Sequence, residues 1–328
     1  MKFDSVLLLS FGGPDKHDDV IPFLENVLRG KNVPRERMLE VAEHYYHFDG
    51  RSPINGQNRE LLDAVRKALE ERGPNLPVYW GNRNWHPYLA DTLREMHAKG
   101  HRNIAAFVTS AFGSYSGCRQ YREDIGRAIA ETGLNDLHVE KLPHFCLRQE
   151  FIDVMADRVR VAHAEVPEAQ ELVFTAHSIP MTMAQTSPYV QQLQEACART
   201  AAAAGFADRW VLVYQSRSGP PTQPWLEPDI LAHIRARHAA GVRELIVCPI
   251  GFISDHMEVL YDLDTEARQL CEELGVRMAR AATPGVHPQF VELIRKLVEE
   301  GESTPAAARC LADCCPAPQR PAMPPARS

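Results

Sequence analysis

Three carboxylates recur at intervals of four residues in one stretch of this sequence. Glu258, Asp262 and Glu266 belong to GFISDHMEVLYDLDTE (251–266), which follows an apolar run and is predicted to open a helix. Residues four apart lie on one face of a helix, where like charges repel each other. The stripe therefore indicates a metal site or a path for cations, while a solvated acidic face near a helix N-terminus would show the same pattern.

A histidine lies where a buried strand is predicted to end. His177 belongs to TAHSIP (175–180) and comes shortly after the apolar letters LVF. A histidine in this place is commonly a hydrogen-bonded polar residue without a catalytic role. An imidazole that faces a carboxylate, however, suits a divalent metal such as Fe²⁺ and proton transfer near neutral pH. We therefore predict that His177 and Glu258 are catalytic and bind metal, with Asp262 and Glu266 as further metal ligands.

Cationic, hydroxyl and aromatic groups are concentrated in the loops of the first half. Aromatic walls with a cationic rim suit a large, flat, apolar ligand that carries carboxylates, although ordinary loops also have this composition. The predicted substrate-binding residues from this set are Arg29, Ser52, Arg83 and Tyr121. The same loops contain Lys31, His44, Tyr45, Tyr46, Phe48, Arg51, Trp85, Tyr115 and Arg122.

Six apolar runs are predicted to form buried strands that alternate with helical patterns. They cover residues 6–11, 78–81, 104–109, 172–176, 211–214 and 245–250. This alternation indicates parallel sheets flanked by helices, the α/β class. The first three and the last three runs end in similar strings, such as YWGNRN and YQSRSG, which predicts two similar halves divided near residues 136–150. Because ligands bind beyond the carboxyl ends of such strands, the polar tips are expected around one cleft.

Composition excludes several classes of protein. The 328 residues carry a formal net charge of −7, which gives no reason to expect nucleic acid or an anionic membrane as a partner. The apolar run at residues 6–9 is too short for a signal peptide, and no run approaches the roughly 20 apolar residues of a transmembrane helix. A cytoplasmic protein is therefore predicted, and its eight cysteines are expected to be thiols.

Three cysteines are crowded near the C-terminus. Cys310, Cys314 and Cys315 lie within six positions, after the last helical pattern. This crowding predicts a thiolate metal site that awaits a fourth ligand, and the alternative is a flexible tail with incidental thiols. Cys118, in the loop YSGCRQY near the expected cleft, and Cys146, just before a predicted helix, are the candidates for the fourth position.

Five long motifs carry a resemblance to a known family. LLLSFGGP (7–14), SPINGQN (52–58), TAHSIP (175–180), YQSRSGPPTQPWLEP (214–228) and GFISDHMEVLYDLD (251–264) together resemble ferrochelatases, in particular the actinobacterial type whose product is coproheme. The resemblance extends to about residue 300. It implies two similar Rossmann-like domains of the chelatase type, each a parallel sheet flanked by helices, with a cleft between them.

The resemblance also implies domain boundaries. Residues 1–145 would form the N-terminal domain, joined by the C-terminal helix near 286–301. Residues 146–285 would form the C-terminal domain, and residues 302–328 a tail with the cysteine cluster. Some ferrochelatases hold a [2Fe–2S] cluster on three C-terminal cysteines and one internal cysteine, and Cys146 lies close to the place of the internal one in the animal enzymes. A zinc site at the same cysteines is the alternative.

Roles for single residues follow from the resemblance as well. His177 matches the family's invariant histidine and Glu258 its catalytic glutamate, which face each other across the macrocycle as the iron-site pair. Asp262 and Glu266 match an acidic line along an irregular helix proposed to move metal inward. Which residue of the pair binds iron and which accepts protons stays open.

The porphyrin contacts implied by the resemblance lie in the first half. Ser52 and Tyr121 match positions that hold the propionates of the porphyrin. Phe11 stands where some bacterial members carry a tyrosine that approaches the iron, so the product iron is expected to lack a phenolate ligand on that side.

The predicted activity is insertion of Fe²⁺ into coproporphyrin III. Its four propionates fit the segment 27–53, which is rich in Arg, Lys and His rather than apolar. The alternatives are a ferrochelatase for protoporphyrin IX, which has two propionates, and a cobalt or nickel chelatase of the same fold. A non-catalytic heme- or metal-binding protein of the periplasmic two-domain type would need a signal peptide. A monomer is expected, with handover of the product to a coproheme-processing enzyme.

Overall fold

The computed structural model describes residues 2–31, 33–219, 222–303 and 314–317. The first half of the chain forms a parallel four-stranded sheet in the order β2-β1-β3-β4. Its strands are β1 (Ser5–Ser10), β2 (Val78–Asn82), β3 (Asn103–Val108) and β4 (His138–Lys141). All residues of β1 are buried. Val6 and Leu8 pack into one apolar cluster while Leu7 and Leu9 pack into another, so both faces of the sheet are covered.

The second half repeats this architecture. Its parallel sheet has the order β6-β5-β7-β8, with the central strand again first in sequence. The strands are β5 (Glu171–His177), β6 (Trp210–Gln215), β7 (Glu244–Cys248) and β8 (Arg277–Arg280). The identical strand order confirms the predicted α/β fold of two similar halves.

Helices connect the strands on both sides of each sheet. In the first half they are α1 (Val20–Leu28), α2 (Arg35–Tyr46), α3 (Ile54–Arg72), α4 (Leu89–Ala98) and α5 (Gln120–Thr132). The remaining ones are α6 (Gln149–His163), α7 (Met181–Gln185), α8 (Tyr189–Ala204), α9 (Ile230–Ala239), α10 (Met257–Val259), α11 (Arg268–Leu274) and α12 (Pro288–Ser303). Two further segments, Tyr115–Arg119 and Leu260–Ala267, are π-helices.

Two strands were not predicted from the sequence. β4, with the sequence HVEK, and β8, with the sequence RMAR, each bury only their third residue fully. Each lies at the edge of its sheet and pairs with a single neighbour, so it needs no continuous apolar run. Backbone hydrogen bonds hold these two edge strands in place, and their amino-acid sequences resemble those of loops.

The last helix returns to the first half of the chain. α12 packs against α3 and α6, and Phe290, Leu293, Ile294 and Leu297 are almost fully buried there. Burial of each such side chain contributes roughly 1.5–3 kcal/mol. The same apolar cluster contains residues of both β1 and β5, so the two sheets share one core. Within the described part of the chain, no helix has the length and apolarity to cross a membrane.

Candidate active site

His177 is the last residue of β5, the strand between β6 and β7. Its Nε2 lies 3.2 Å from Oε1 of Glu258, and its Nδ1 forms a hydrogen bond with the carbonyl oxygen of Ser178. The Tyr189 hydroxyl donates to the backbone oxygen of His177 over 3.0 Å. The imidazole therefore has a fixed orientation, with Nε2 directed at the carboxylate.

Glu258 lies close to His177 because the loop after β7 packs against β5. The Gly251 N–H donates to the Thr175 oxygen over 3.1 Å, and a Cβ at Gly251 would lie 2.8 Å from the Ala176 backbone. Only glycine permits this approach. The loop then leads into α10, which carries Glu258, and the Asp255 N–H donates to Gln57 of α3 over 2.8 Å.

The two side chains form an imidazolium–carboxylate ion pair. Burial disfavours the charged imidazole, but the carboxylate of Glu258 outweighs it and raises the pKa of His177 to about 9. Burial likewise disfavours the carboxylate, and the facing imidazolium lowers the pKa of Glu258 to about 2. The side chains keep 31% and 42% exposure respectively, so a ligand in the cleft has access to both.

Asp262 lies beside this pair, on the π-helix Leu260–Ala267 that continues α10. Burial and the charges of Glu258 and Glu266 raise its pKa to about 7, although a hydrogen bond from the Ser216 hydroxyl opposes the shift. Glu266 is exposed at the outer end. Partial loss of solvent around its carboxylate, and the charge of Asp229, raise its pKa. The stripe therefore runs from the ion pair to the surface. Its helix is wider than the predicted α-helix, a form that often occurs at functional sites.

The residues predicted to bind substrate in the first half divide into two groups. Arg83 is 7% exposed and forms an ion pair with Asp124 over 2.9 Å. Its guanidinium also lies over the rings of Tyr121, at 4.5 Å, and Phe11, at 5.8 Å. Tyr121 is only 4% exposed, whereas Phe11 is 36% exposed. Arg83 and Tyr121 thus form an internal support behind Phe11.

Ser52 and Arg29 form the second group. Ser52 is buried, and its N–H donates to the Pro14 oxygen over 2.9 Å. Arg29 follows α1, is exposed, and donates to the Asn26 side chain. These two residues do not contact His177 or Glu258 in the described structure.

Comparison with known proteins agrees with this geometry. The family model described as "Ferrochelatase" matches residues 4–302. The chain belongs to the ferrochelatase family. The resemblance inferred from the motifs is confirmed, and so is the predicted enzyme class, a metal chelatase.

Several ferrochelatases are similar over almost their whole length. A protein named "Ferrochelatase" from Rhodopirellula baltica is 55% identical, with 95% of this chain and 93% of the relative covered. Proteins named "Coproporphyrin III ferrochelatase" from Streptomyces coelicolor and Mycolicibacterium smegmatis are 49% and 50% identical. For these two, coverage is 96% and 92% of this chain, and 94% and 90% of the relative.

Solved structures of chelatases share the fold of this ferrochelatase. SirB from Bacillus subtilis with Fe³⁺ has a TM-score of 0.56 at 10% identity, covering 91% of this chain and 95% of that one. DR2241 from Deinococcus radiodurans, described as similar to chelatases, has a TM-score of 0.55 at 14% identity. That match covers 92% of this chain and 56% of DR2241. Both support the two-sheet chelatase architecture.

Sequence reasoning about this ferrochelatase missed three residues around the pair. His256 Nδ1 lies 3.8 Å from Oε2 of Glu258 and accepts a hydrogen bond from the Glu258 N–H over 3.2 Å. Gln215 donates to the Glu258 backbone oxygen. Ser216 holds Asp262 and has φ = 61°, a left-handed conformation that costs a residue with a side chain about 1 kcal/mol or more. The strings SDHME and YQSRSG contain all three.

The cysteines separate into two environments. Cys314 and Cys315 lie beside Cys118: burial, Cys314 and Cys118 together raise the pKa of Cys315 to about 11. Arg122 of α5 donates to the Cys314 Sγ over 3.4 Å. Cys146 is instead buried in the apolar core, and burial raises its pKa to about 12. Cys310 lies outside the described residues.

Among the residues that the structure describes, no group of three or more His, Cys, Asp or Glu side chains has the arrangement of a metal site. The cysteines in this part of the chain are all free thiols.

Proposed function

We propose that this chain inserts Fe²⁺ into coproporphyrin III to give coproheme in heme biosynthesis. The observation that carries the proposal is the His177–Glu258 pair, with 3.2 Å between Nε2 and Oε1, at the carboxyl end of a central strand. Asp262 beside the pair continues the acidic stripe to the surface. The similar proteins named coproporphyrin III ferrochelatase support the choice of porphyrin, as does the basic segment 27–53.

The pKa shifts favour a division of roles in which Glu258 binds iron and His177 accepts protons. At neutral pH the imidazole is charged and serves as the counter-ion of the carboxylate. An Fe²⁺ ion that binds Glu258 takes over this role, and its charge lowers the pKa of His177. The imidazole then releases its proton to the water of the cleft. Its neutral Nε2 accepts the two pyrrole protons in succession and passes them to the same water.

Asp262 and Glu266 lead the metal to the pair. Asp262, with a pKa of about 7, is partly protonated near neutral pH and gives up its proton when a cation arrives. Ser216 keeps the carboxylate in place through its hydroxyl. Oxygen ligands spaced along the stripe remove water from Fe²⁺ in steps rather than all at once, which lowers the cost of dehydration.

The porphyrin is proposed to lie between this pair and the wall of the first half. Phe11 contacts the flat face of the ring. Ser52 and Arg29 contact propionates, and Arg83 and Tyr121 hold the wall behind Phe11 and belong to the same substrate-binding set. A ring held between two walls is bent by part of its binding energy, which exposes the lone pairs of the pyrrole nitrogens to the metal.

Turnover with the two porphyrins tests the substrate. We expect the purified protein with Fe²⁺ to metallate coproporphyrin III with a kcat/KM at least about 10-fold above that for protoporphyrin IX, a difference of about 1.4 kcal/mol in transition-state binding. The measurement follows the loss of free-base fluorescence under anaerobic conditions. A preference for protoporphyrin IX would assign the activity to that porphyrin, and insertion of Co²⁺ or Ni²⁺ alone would assign another chelatase. Stoichiometric binding of the porphyrin without turnover would contradict the proposed chelatase activity.

We also propose that the cysteine site holds a [2Fe–2S] cluster on Cys118, Cys310, Cys314 and Cys315. The gathering of three of these thiols supports the proposal, as does the Arg122 guanidinium, which donates a hydrogen bond to the Cys314 Sγ over 3.4 Å. Cys118 is favoured over Cys146 because Cys146 has an apolar environment. A bound cluster would connect the segment 314–317 to the π-helix Tyr115–Arg119 through iron–thiolate bonds.

Replacement of Cys118 by serine tests the cluster. The protein purified without oxygen is expected to be red-brown with equal amounts of iron and sulfide, and Cys118→Ser is expected to lose this absorption because one thiolate ligand is gone. Cys146→Ala is the matched control and should keep the colour. Zinc in place of iron, or loss of colour in Cys146→Ala alone, would contradict the assignment.

The proposal extends to the domain boundaries, the compartment and the oligomeric state. The packing of α12 against α3 supports an N-terminal domain of residues 1–145 joined by the helix near 286–301, and a C-terminal domain of 146–285. The free thiols support the cytoplasm as the compartment. A monomer that hands its product to a coproheme-processing enzyme is proposed from the sequence alone.

A further inference from the structure

Arg280 is the last residue of β8, and like His177 it lies at the carboxyl end of a strand of the second sheet. Its side chain is only 14% exposed and forms two ion pairs. Nε lies 2.6 Å from Oδ1 of Asp264, and Nη1 lies 3.0 Å from Oδ1 of Asp255. One guanidinium therefore joins two carboxylates that are not part of the acidic stripe.

The two carboxylates lie on either side of Glu258 in the chain. Asp255 comes three residues before it, in the loop that leads into α10, and Asp264 comes six residues after it, on the π-helix that continues α10. Residues two positions apart on a helix do not share a face, so Asp264 lies on a different face from Asp262. Arg280 therefore holds the segment that carries Glu258 near both of its ends.

Arg280 also fixes this segment relative to His177. Residue 280 pairs with Val247 of β7, and β7 pairs with β5, the strand that ends at His177. Nη1 of Arg280 donates further to the backbone oxygen of Ala281 over 3.3 Å. The guanidinium is therefore anchored to the sheet, and it connects the sheet to the helical segment. The distance of 3.2 Å between Nε2 of His177 and Oε1 of Glu258 depends on this connection.

A guanidinium suits this double contact better than an ammonium group. Its N–H donors point in fixed directions within one plane, whereas a lysine carries a point charge on a flexible stem. Arg268 is the other cation near Asp264, at 3.6 Å, and its side chain is 43% exposed. Exposed ion pairs of this kind contribute little. Arg280 is therefore the cation that determines where Asp264 lies.

We propose that Arg280 is a positioning residue of the iron site, which keeps the carboxylate of Glu258 opposite His177. Partners that orient the ligands of a metal in this way commonly change its affinity without touching it. The inference rests on the proposed function, which assigns Glu258 to the iron. A pure charge effect would have the opposite sign, because an arginine near the path repels a cation and its loss would strengthen metal binding.

Binding of Mn²⁺ to the porphyrin-free protein tests the positioning role. Mn²⁺ prefers oxygen ligands to thiolates, and the free ion is measured by EPR. In Arg280→Met the Kd for Mn²⁺ is expected to rise about 10–100-fold, because the carboxylates are no longer held in place. Arg280→Lys keeps the charge but loses the planar fork, and should have an intermediate Kd. Glu258→Gln should abolish this binding, and Mn²⁺ binding that survives that change would overturn the proposal.

Two control variants separate positioning from charge and from strand stability. Arg268→Met removes the same charge beside Asp264 and should leave the Kd for Mn²⁺ unchanged. Arg277→Met removes the other arginine of β8, which binds Glu244, and should weaken the fold in urea without changing that Kd. An equal rise of the Kd in either control would overturn the proposal, as would a wild-type Kd in Arg280→Met. If Arg280→Met does not fold, a wild-type Kd in Arg280→Lys overturns it.

Turnover distinguishes this inference from the proposed function. Arg280→Lys is expected to raise the KM for Fe²⁺ about 10-fold, while the Kd for metal-free coproporphyrin III, measured by fluorescence, stays at the wild-type value. A general loosening of the fold would change both, and that result would contradict the positioning role. A wild type that metallates no porphyrin, but whose Mn²⁺ binding depends on Arg280, would contradict the proposed function and leave the positioning role supported.

Discussion

Replacement of His177 by alanine is expected to lower kcat for iron insertion about 10²–10⁴-fold, the usual contribution of a positioned proton acceptor. The variant loses the Nε2 that faces Oε1 of Glu258 at 3.2 Å and with it the acceptor for the pyrrole protons. Porphyrin binding should remain close to normal, because the ring is held mainly by the first half. The backbone of residue 177 also stays in place, since the Tyr189 hydroxyl binds its carbonyl oxygen.

Two comparisons separate a catalytic role from a structural one. Imidazole added to His177→Ala should restore part of the turnover, because the space left by the side chain is open to the cleft. His138→Ala, an exposed residue of the edge strand β4, should have wild-type kcat. Full turnover in His177→Ala, or a loss of porphyrin binding equal to the loss of kcat, would remove His177 from the role of proton acceptor.

Replacement of Glu258 by glutamine is expected to have an effect of similar size on kcat. The amide has the shape of the carboxylate but no charge for Fe²⁺, which prefers anionic ligands when it leaves water. Glu273→Gln, the same change on the exposed surface of α11, is the control. Normal turnover in Glu258→Gln would show that the carboxylate is not the iron ligand.

The same variant has a signature in pH. In the wild type the carboxylate raises the pKa of His177 from 6.5 to about 9, so the proton on the imidazole stabilises the fold fully below pH 6.5. That contribution is lost as the pH rises through about 9. In Glu258→Gln the pKa of His177 should fall, as an NMR titration of the imidazole would show. Urea unfolding should then reveal a loss of wild-type stability between pH 6.5 and 9 that the variant lacks.

The six strands that the sequence revealed are the four inside the sheets, β1, β3, β5 and β7, and the two edge strands β2 and β6. The runs at 6–11 and 172–176 correspond to β1 and β5, whose residues face apolar clusters on both sides and must be continuously apolar. β4 and β8 were missed because each fully buries only one residue and so carries no apolar run, whereas the other two edge strands, β2 and β6, bury three and four residues. The similar strings at the ends of the strands predicted two similar halves, and the two sheets have the same strand order.

The separation of the cysteines shows a different limit. The sequence left both Cys118 and Cys146 as candidates, because Cys118 lies in a loop near the expected cleft and Cys146 lies just before a predicted helix. Folding places Cys118 in the π-helix Tyr115–Arg119, beside Cys314 and Cys315, and places Cys146 in the core. Spacing along the chain contains no information about which of two distant thiols will face the tail.

The sequence by itself determined the α/β class, the duplication and the family. It also indicated two candidate site residues, His177 in TAHSIP and Glu258 in GFISDHME. These are local properties of strand interiors, strand ends and helical spacing. Only the tertiary structure decided that the two side chains meet as an ion pair and that Arg83 is buried against Asp124. Pairing and burial depend on segments distant in the chain, and their charges and shapes act on one another only after the two halves have packed together.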